Sequence, residues 1–226
     1  MARHPYAPDV LPEMLPIFPL AGVLLLPRGS LPLNIFEERY LTMTQDALKT
    51  DHRMIGMIQP TGAEDAETIA ASGRSGPELF QIGCAGKMIQ FAETRDNRYM
   101  ITLVGISRFR IAEEFPMTRG YRRVRPDWTP FEADLEEEYK RGTFDRERLM
   151  AALRTYFKAQ NIDPNWKAIG EMGDRMLVTS LGMGCPFNPS EKQALLEAAD
   201  LPSRAEVLTT LLEMSAAPEA PEGTRH

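Results

Sequence analysis

The chain has 226 residues, 43% hydrophobic and 26% charged, with 26 Lys and Arg against 32 Asp and Glu for a net charge of −6. A chain of this length can bury about 70% of the surface it exposes when unfolded, which excludes collagen-like, disordered, disulfide-stapled and polytopic membrane classes. The acidic balance argues against a whole-protein attraction to nucleic acid or anionic lipid, and two cysteines without a CxxC pair, Cys84 and Cys185, suit a reducing cytoplasm.

Residues 1–13 are polar and punctuated by proline, and are expected to form a flexible arm. Leu15–Pro27 resembles the apolar region of a signal peptide, but Pro16 and Pro19 break a helix and Asp9 and Glu13 spoil a basic leader. The run is also too short to span a bilayer, which takes about 20 apolar residues. Short buried strands are expected at Ile17–Phe18, Val23–Leu26 and Leu31–Leu33, in a cytoplasmic protein. From Phe36 the period changes: Phe36, Tyr40, Met43 and Ala47 fall on one face of a helix ending near Thr50. Arg53–Gln59 reads as a strand stopped by Pro60, and the stretch to Pro77 as a long exposed loop.

Three further strands are predicted at Leu79–Phe91, Tyr99–Ile106 and Phe109–Glu113, with Asp96–Asn97 turning a hairpin, and another at Tyr121–Trp128. Such short, closely spaced strands close into a small barrel or sandwich. After Pro130 the pattern is helical. Leu149, Leu153, Tyr156 and Phe157 stripe a helix over Asp145–Gln160, and Asp163–Pro164 reads as a cap with proline in the first turn of the next. Met176, Leu177 and Leu181 stripe another. Ser190–Gln193 and Ser203–Glu206 read as capping boxes for two more helices, carrying Leu195, Leu196 and Ala199, then Leu208, Leu211 and Leu212. The tail after Met214 has nothing to bury.

No catalytic set emerges. Of the three histidines only His52 is interior to the chain, and its simplest role is a solvated side chain near a helix end. Neither cysteine has a neighbour at metal-ligand spacing. No nucleophile elbow, phosphate loop or dinucleotide fingerprint occurs: Gly73–Gly76 lacks the first spacing, and Gly182–Gly184 more simply ends a helix. The carboxylate pairs Glu113–Glu114 and Glu136–Glu138 read as solvated faces. One cluster invites a ligand. Arg119, Arg122, Arg123 and Arg125, interleaved with Tyr121 and Trp128, have the composition of an RNA surface, although Tyr121 and Val124 pointing inward beneath acid-paired arginines is the simpler arrangement.

The segment Leu15–Met43 contains Pro16-Ile-Phe-Pro-Leu20, Val23-Leu24, Pro27, Pro32-Leu33, Ile35-Phe36-Glu37 and Arg39-Tyr40. It resembles the opening pattern P-L-F-P-L … V-L-x-P-G … P-L-x-I-F-E-x-R-Y of the Lon-type N-terminal domain. Arg28-Gly29 replaces the commoner Pro-Gly turn, which reads as the glycine moved by one position. Later segments fit as well: Ile82-Gly-Cys-Ala-Gly86, Arg98–Thr102, Gly105–Phe109 and Glu191–Glu197, so the likeness spans roughly residues 14–213.

The resemblance implies an α+β fold: a mostly antiparallel, PUA-like β pseudobarrel over 14–130, a helical bundle over 131–214 and a disordered tail over 215–226. It implies the substrate-binding part of a Lon protease without its ATPase and Ser–Lys protease modules, whose motifs do not occur in these residues. The expected activity is non-enzymatic binding of unfolded or extended polypeptides, as an adaptor or holder working with a protease or chaperone system, with no cofactor and no membrane. The 13 methionines suit adaptable apolar contacts, although core filling is their commoner use. Two binding modes are expected, an apolar groove where barrel meets bundle and an exposed sheet edge. Phe36, Glu37, Arg39 and Tyr40 are the candidate polypeptide contacts. Glu37 is expected to meet the helix dipole, and Arg39 to tie the helix to a strand. The alternative is an RNA-binding PUA-like module using Arg122, Arg123 and Arg125.

Overall fold

The computed structural model describes residues 11–62, 76–136 and 144–216. The expected arm up to residue 10, most of the loop before Pro77, the Gly73–Ser75 stretch, Glu138, His4, His226 and the tail from residue 217 lie outside the described residues. Among the described residues six strands come first, with one helix between the second and third: β1 (Leu15–Pro19), β2 (Ser30–Ile35), α1 (Glu38–Leu48), β3 (Met54–Ile58), β4 (Ile82–Glu93), β5 (Tyr99–Thr118) and β6 (Tyr121–Asp127). A 3₁₀ segment (Thr129–Leu135) leads to five helices: α2 (Arg146–Ala159), α3 (Trp166–Glu171), α4 (Asp174–Gly184), α5 (Pro189–Glu197) and α6 (Leu201–Ala216). The fold class is α+β, as expected.

The sheet order is β2-β5-β4-β3-β1-β6, and β6 pairs back onto β5, so five strands close a ring with β2 outside it. All pairs are antiparallel except β1 with β3, where Ile17 stands opposite Gly56. The 20-residue β5 makes closure possible. It fuses the two strands expected at Tyr99–Ile106 and Phe109–Glu113, because Ser107 and Arg108 are buried and stay in the ladder opposite Ala85 and Cys84. Its first half pairs β2 and its second half β6, with bulges near Gly86, Ile89 and Phe115 that bend the strands around.

Phe109 fills the ring, and Gly83 yields it space: a Cβ there would stand 2.7 Å from the ring and 2.6 Å from the Met57 carbonyl. Leu15, Ile17, Met54, Ile58 and Val124 complete this inner core. A second core lies between the outer face of the ring and the helices, joining Leu25, Leu26, Ile55 and Met57 to Leu149, Leu153, Leu177, Leu195 and Leu208. All five residues of β3 are buried because both cores claim it, odd positions facing one and even positions the other.

Several local expectations are corrected. Val23–Leu26 is not a strand. Its backbone is irregular, held by Leu20 N–H to Ile58 O (3.0 Å), although Leu24, Leu25 and Leu26 are all buried. Gly105 accommodates this loop, since a Cβ there would lie 2.0 Å from the Leu26 carbonyl oxygen. Leu11 is buried and the Pro12 carbonyl accepts from Trp128 Nε1 (3.3 Å), so the described end of the arm is docked on the ring. Asn188 rather than Ser190 caps α5, in a capping box with Glu191. Asn165 caps α3 in place of Asp163, and Asp200 caps α6, leaving Ser203 within the first turn. Ala199 falls between α5 and α6 and is exposed.

Candidate functional site

The irregular loop 20–29 passes between the sheet and the helices and is secured on both sides. Gln59, at the end of β3, accepts from Gly22 N–H (3.2 Å) and donates to the Pro189 carbonyl (3.0 Å). Gln193 of α5 donates to the Ile82 carbonyl (3.0 Å). Lys192 donates to the Gly22 carbonyl (2.6 Å). At the far end of the loop Arg28 N–H donates to Gly105 O (2.8 Å), and Gly105 N–H returns to Gly29 O (2.9 Å). Arg28 therefore occupies the left-handed region, at φ 68°, where a non-glycine residue is strained. The departure from the family pattern is more than a displaced glycine: an arginine holds the conformation that glycine prefers.

Below this loop α5 is anchored to the sheet by Arg108 on β5. Its guanidinium donates to both carboxylate oxygens of Asp134 (2.8 and 2.9 Å), to the Leu196 carbonyl in the last turn of α5 (3.2 Å) and to the Ala198 and Ala199 carbonyls just beyond it (2.7 and 3.3 Å). It also lies over the Phe131 ring. The pair is nearly dry, so its full complement of hydrogen bonds is what makes the burial tolerable.

Between the loop, the start of β2 and helix α4 a cleft of about 1430 Å³ remains. Val23, Leu24, Leu31 and Pro32 line the sheet side; Met176 and Met183 of α4, with Phe144 and Leu201, line the other. Met176, expected on the buried stripe of its helix, is 61% exposed. It borders the cleft instead of the core because Leu177 and Val178 take the buried face. Among the described residues the outer edge of β2 carries no strand partner, and its residues Ser30–Pro32 line the cleft, so the expected groove and sheet edge meet at one place. Pro32 has no N–H to offer and is tolerated on such an edge. Among the described residues, Arg28, Arg175 and Lys192 line the cleft with one carboxylate, Asp174, which is ion-paired with Arg146. Burial pushes the Lys192 ammonium below its ordinary pKa.

The sequence-derived candidates lie elsewhere. Phe36 precedes α1 and is 63% exposed, with Arg98 above its ring, instead of facing inward from the helix. Glu37 stands at the N-cap of α1 without capping it, and pairs with Arg39 (2.7 Å). Arg39 lies over the Tyr40 ring (4.5 Å). Tyr40 is buried against Phe18 (4.2 Å between centroids). Arg39 and Tyr40 do share a small recess of about 100 Å³ with Tyr121 and Arg122.

The arginine cluster is already engaged. Arg122 forks onto Glu114 (2.7 Å to each oxygen), Arg125 pairs with Glu113 (2.7 Å), and Arg123 donates to Thr118 Oγ1 (2.6 Å). Arg119 and the Tyr121 hydroxyl both donate to Asp46 (2.6 and 3.0 Å).

Among the described residues no group of three or more His, Cys, Asp or Glu could hold a metal ion. Both cysteines are buried, and burial raises the Cys185 thiol to about 11 and Cys84 further still. No helix among the described residues is long and apolar enough to cross a membrane.

Arg28, Met176, Met183 and Lys192 were missed by sequence reasoning. One signal was available: Lys192 shares a helical face with Leu195, Leu196 and Gln193, an anomalous position for an ammonium.

A closed, mostly antiparallel ring carrying a C-terminal helical layer across an open cleft is an α+β fold with solved counterparts. A Lon N-terminal domain protein from Xanthomonas campestris superposes with a TM-score of 0.59 at 20% identity, over 87% of this chain and 97% of that one. The N-terminal domain of Mycobacterium avium complex Lon protease gives 0.57 at 13% identity, over 88% and 97%. The family described as the ATP-dependent protease La (LON) substrate-binding domain matches residues 14–214, and the chain belongs to it. Among curated relatives, Lon protease of Dictyoglomus thermophilum is 27% identical and Lon protease 2 of Myxococcus xanthus 26%, each over 89% of this chain. The chain spans about a quarter of the length of those relatives, 24% in both cases.

Proposed function

We propose that the chain is a non-enzymatic polypeptide-binding module that receives unfolded or extended segments in the cleft, without ATP, and acts as an adaptor or holder for a protease or chaperone system of the cytoplasm. The observation that carries this reading is the coincidence of an apolar, methionine-bordered cleft with the unpaired edge of β2. An extended segment adding to that edge satisfies its main-chain groups, while alternate side chains enter the cleft. Methionine suits the task because its unbranched thioether adapts to varied apolar partners. The sheet-bearing unit, 14–130, and the helical unit, 131–214, supply opposite walls.

Family membership supports the reading, since the family is described by substrate binding. The alternative, RNA binding through Arg122, Arg123 and Arg125, is the weaker reading because Arg122 and Arg125 are ion-paired and Arg123 is engaged by Thr118. Titration of labelled denatured client or of an apolar peptide library, read by fluorescence anisotropy, tests the proposal. Saturable binding without nucleotide is expected, and uniform absence of binding overturns it. A gel shift at low salt that weakens steeply as salt rises favours RNA instead.

A further inference from the structure

We infer that the segment received by the cleft carries a carboxylate, an acidic side chain within an apolar stretch, and that the Lys192 ammonium is its contact. This rests on the polypeptide-binding reading and specifies the substrate class of the same cleft. Lys192 is only 7% exposed, yet it lines the cleft. Among the described residues its ammonium makes one hydrogen bond, to the neutral Gly22 carbonyl. An ammonium has three donors, so a buried one held by a single carbonyl lacks both partners and counter-charge. The lowered pKa of Lys192 expresses the same deficit.

The neighbouring charges point the same way. The Arg28 side chain donates to a neutral carbonyl, that of Glu136 (3.0 Å), and among the described residues no carboxylate pairs with it. The Asp174 carboxylate, which also lines the cleft, is committed to Arg146. The molecule as a whole is acidic at −6, so the Lys192 and Arg28 cations lining the cleft run against its overall charge. Val23, Leu31, Met176 and Met183 then match apolar residues on either side of the carboxylate. A phosphate would satisfy the cations equally well, but bases need aromatic faces to stack on, and among the lining residues only Phe144 has one.

The test uses the full chain and three labelled apolar peptides that differ at one central residue: Glu, Gln or Lys. The Glu peptide is expected to bind about tenfold more tightly than the Gln peptide, the worth of one charge-assisted hydrogen bond. The Lys peptide is expected to bind most weakly, and the differences to shrink as salt rises. In Lys192→Met the preference for the Glu peptide over the Gln peptide is expected to disappear.

A reading independent of any variant is protection of the Lys192 amine from acylation, followed by mass spectrometry. Protection by the Glu peptide and not by the Gln peptide supports the inference even if Lys192→Met fails to fold. Equal binding of Glu and Gln peptides by the wild type overturns it and leaves the polypeptide-binding reading standing. Absence of binding by all three removes both. Displacement of the Glu peptide by oligouridylate at equal or lower concentration overturns it in favour of RNA.

Discussion

All five N–H donors of the Arg108 guanidinium are used, two on Asp134 and three on carbonyls at the C-terminal end of α5. Removing the cation leaves the Asp134 carboxylate buried without its partner and strands three helix-end carbonyls. Arg108→Met is therefore expected to destabilise the protein by about 3–5 kcal/mol in urea unfolding. The double replacement Arg108→Met with Asp134→Leu should recover part of that loss, because the uncompensated charge goes with it. A single variant within experimental error of wild type would show that the pair is not buried in solution. Arg28 makes the opposite prediction. Its left-handed backbone is a strain that glycine relieves, so Arg28→Gly should stabilise the fold by up to about 1 kcal/mol while weakening binding of a Glu-bearing peptide. Unchanged peptide affinity would show that the guanidinium plays no part in the cleft. Strain kept at a cleft-lining residue is what a functional side chain would justify.

Helix α6 begins at a cap that titrates. The Ser203 backbone N–H, donating to Asp200 at 2.9 Å, holds that carboxyl below its usual 3.8. A depressed folded pKa means that this stabilisation is present above the unfolded value and is lost as pH falls through it. Asp200→Ala should cost about 1 kcal/mol at neutral pH. Asp200→Asn keeps an acceptor without a titrating group, so its stability relative to wild type should improve on acidification from pH 6 to about 3. A constant difference across that range would mean the cap contributes nothing to acid sensitivity. Helix α4 carries the binding prediction. Met176 is exposed, so Met176→Glu should fold normally, yet it removes an apolar contact worth about tenfold in peptide affinity. Isothermal titration with an apolar peptide reads this directly, and undiminished affinity would take the peptide away from α4.

At the scale of the molecule, the sheet and the helices share a core, since Leu25, Ile55 and Met57 pack with Leu149, Leu177 and Leu195. The two tryptophans report on opposite sides of that core: Trp128 lies against Phe109 in the ring, and Trp166 against Phe157 on α2. Single-tryptophan variants, Trp128→Phe and Trp166→Phe, should therefore give coincident urea transitions, as expected of one cooperative unit. Separated midpoints would mean that the two parts unfold independently and that the cleft opens between autonomous halves.

Apolar periodicity and turn chemistry by themselves determined a strand-rich first part, a helical second part and most of the core, because side-chain spacing along a strand or helix is a local property. Tyr40, Met43 and Ala47 are buried from one face of α1 for that reason, as are Leu149, Leu153 and Tyr156 from α2. Tertiary structure alone decided where strands end and which polar groups serve as caps. Ser107 and Arg108 continue β5 because distant carbonyls and Asp134 satisfy them, and Asn188 outcompetes Ser190 once Pro189 enters the first turn. The cleft belongs wholly to that second category. Arg28 stands 148 residues from Met176 and 164 from Lys192 along the chain, and only the closing of the ring and the anchoring of α5 bring them to one surface.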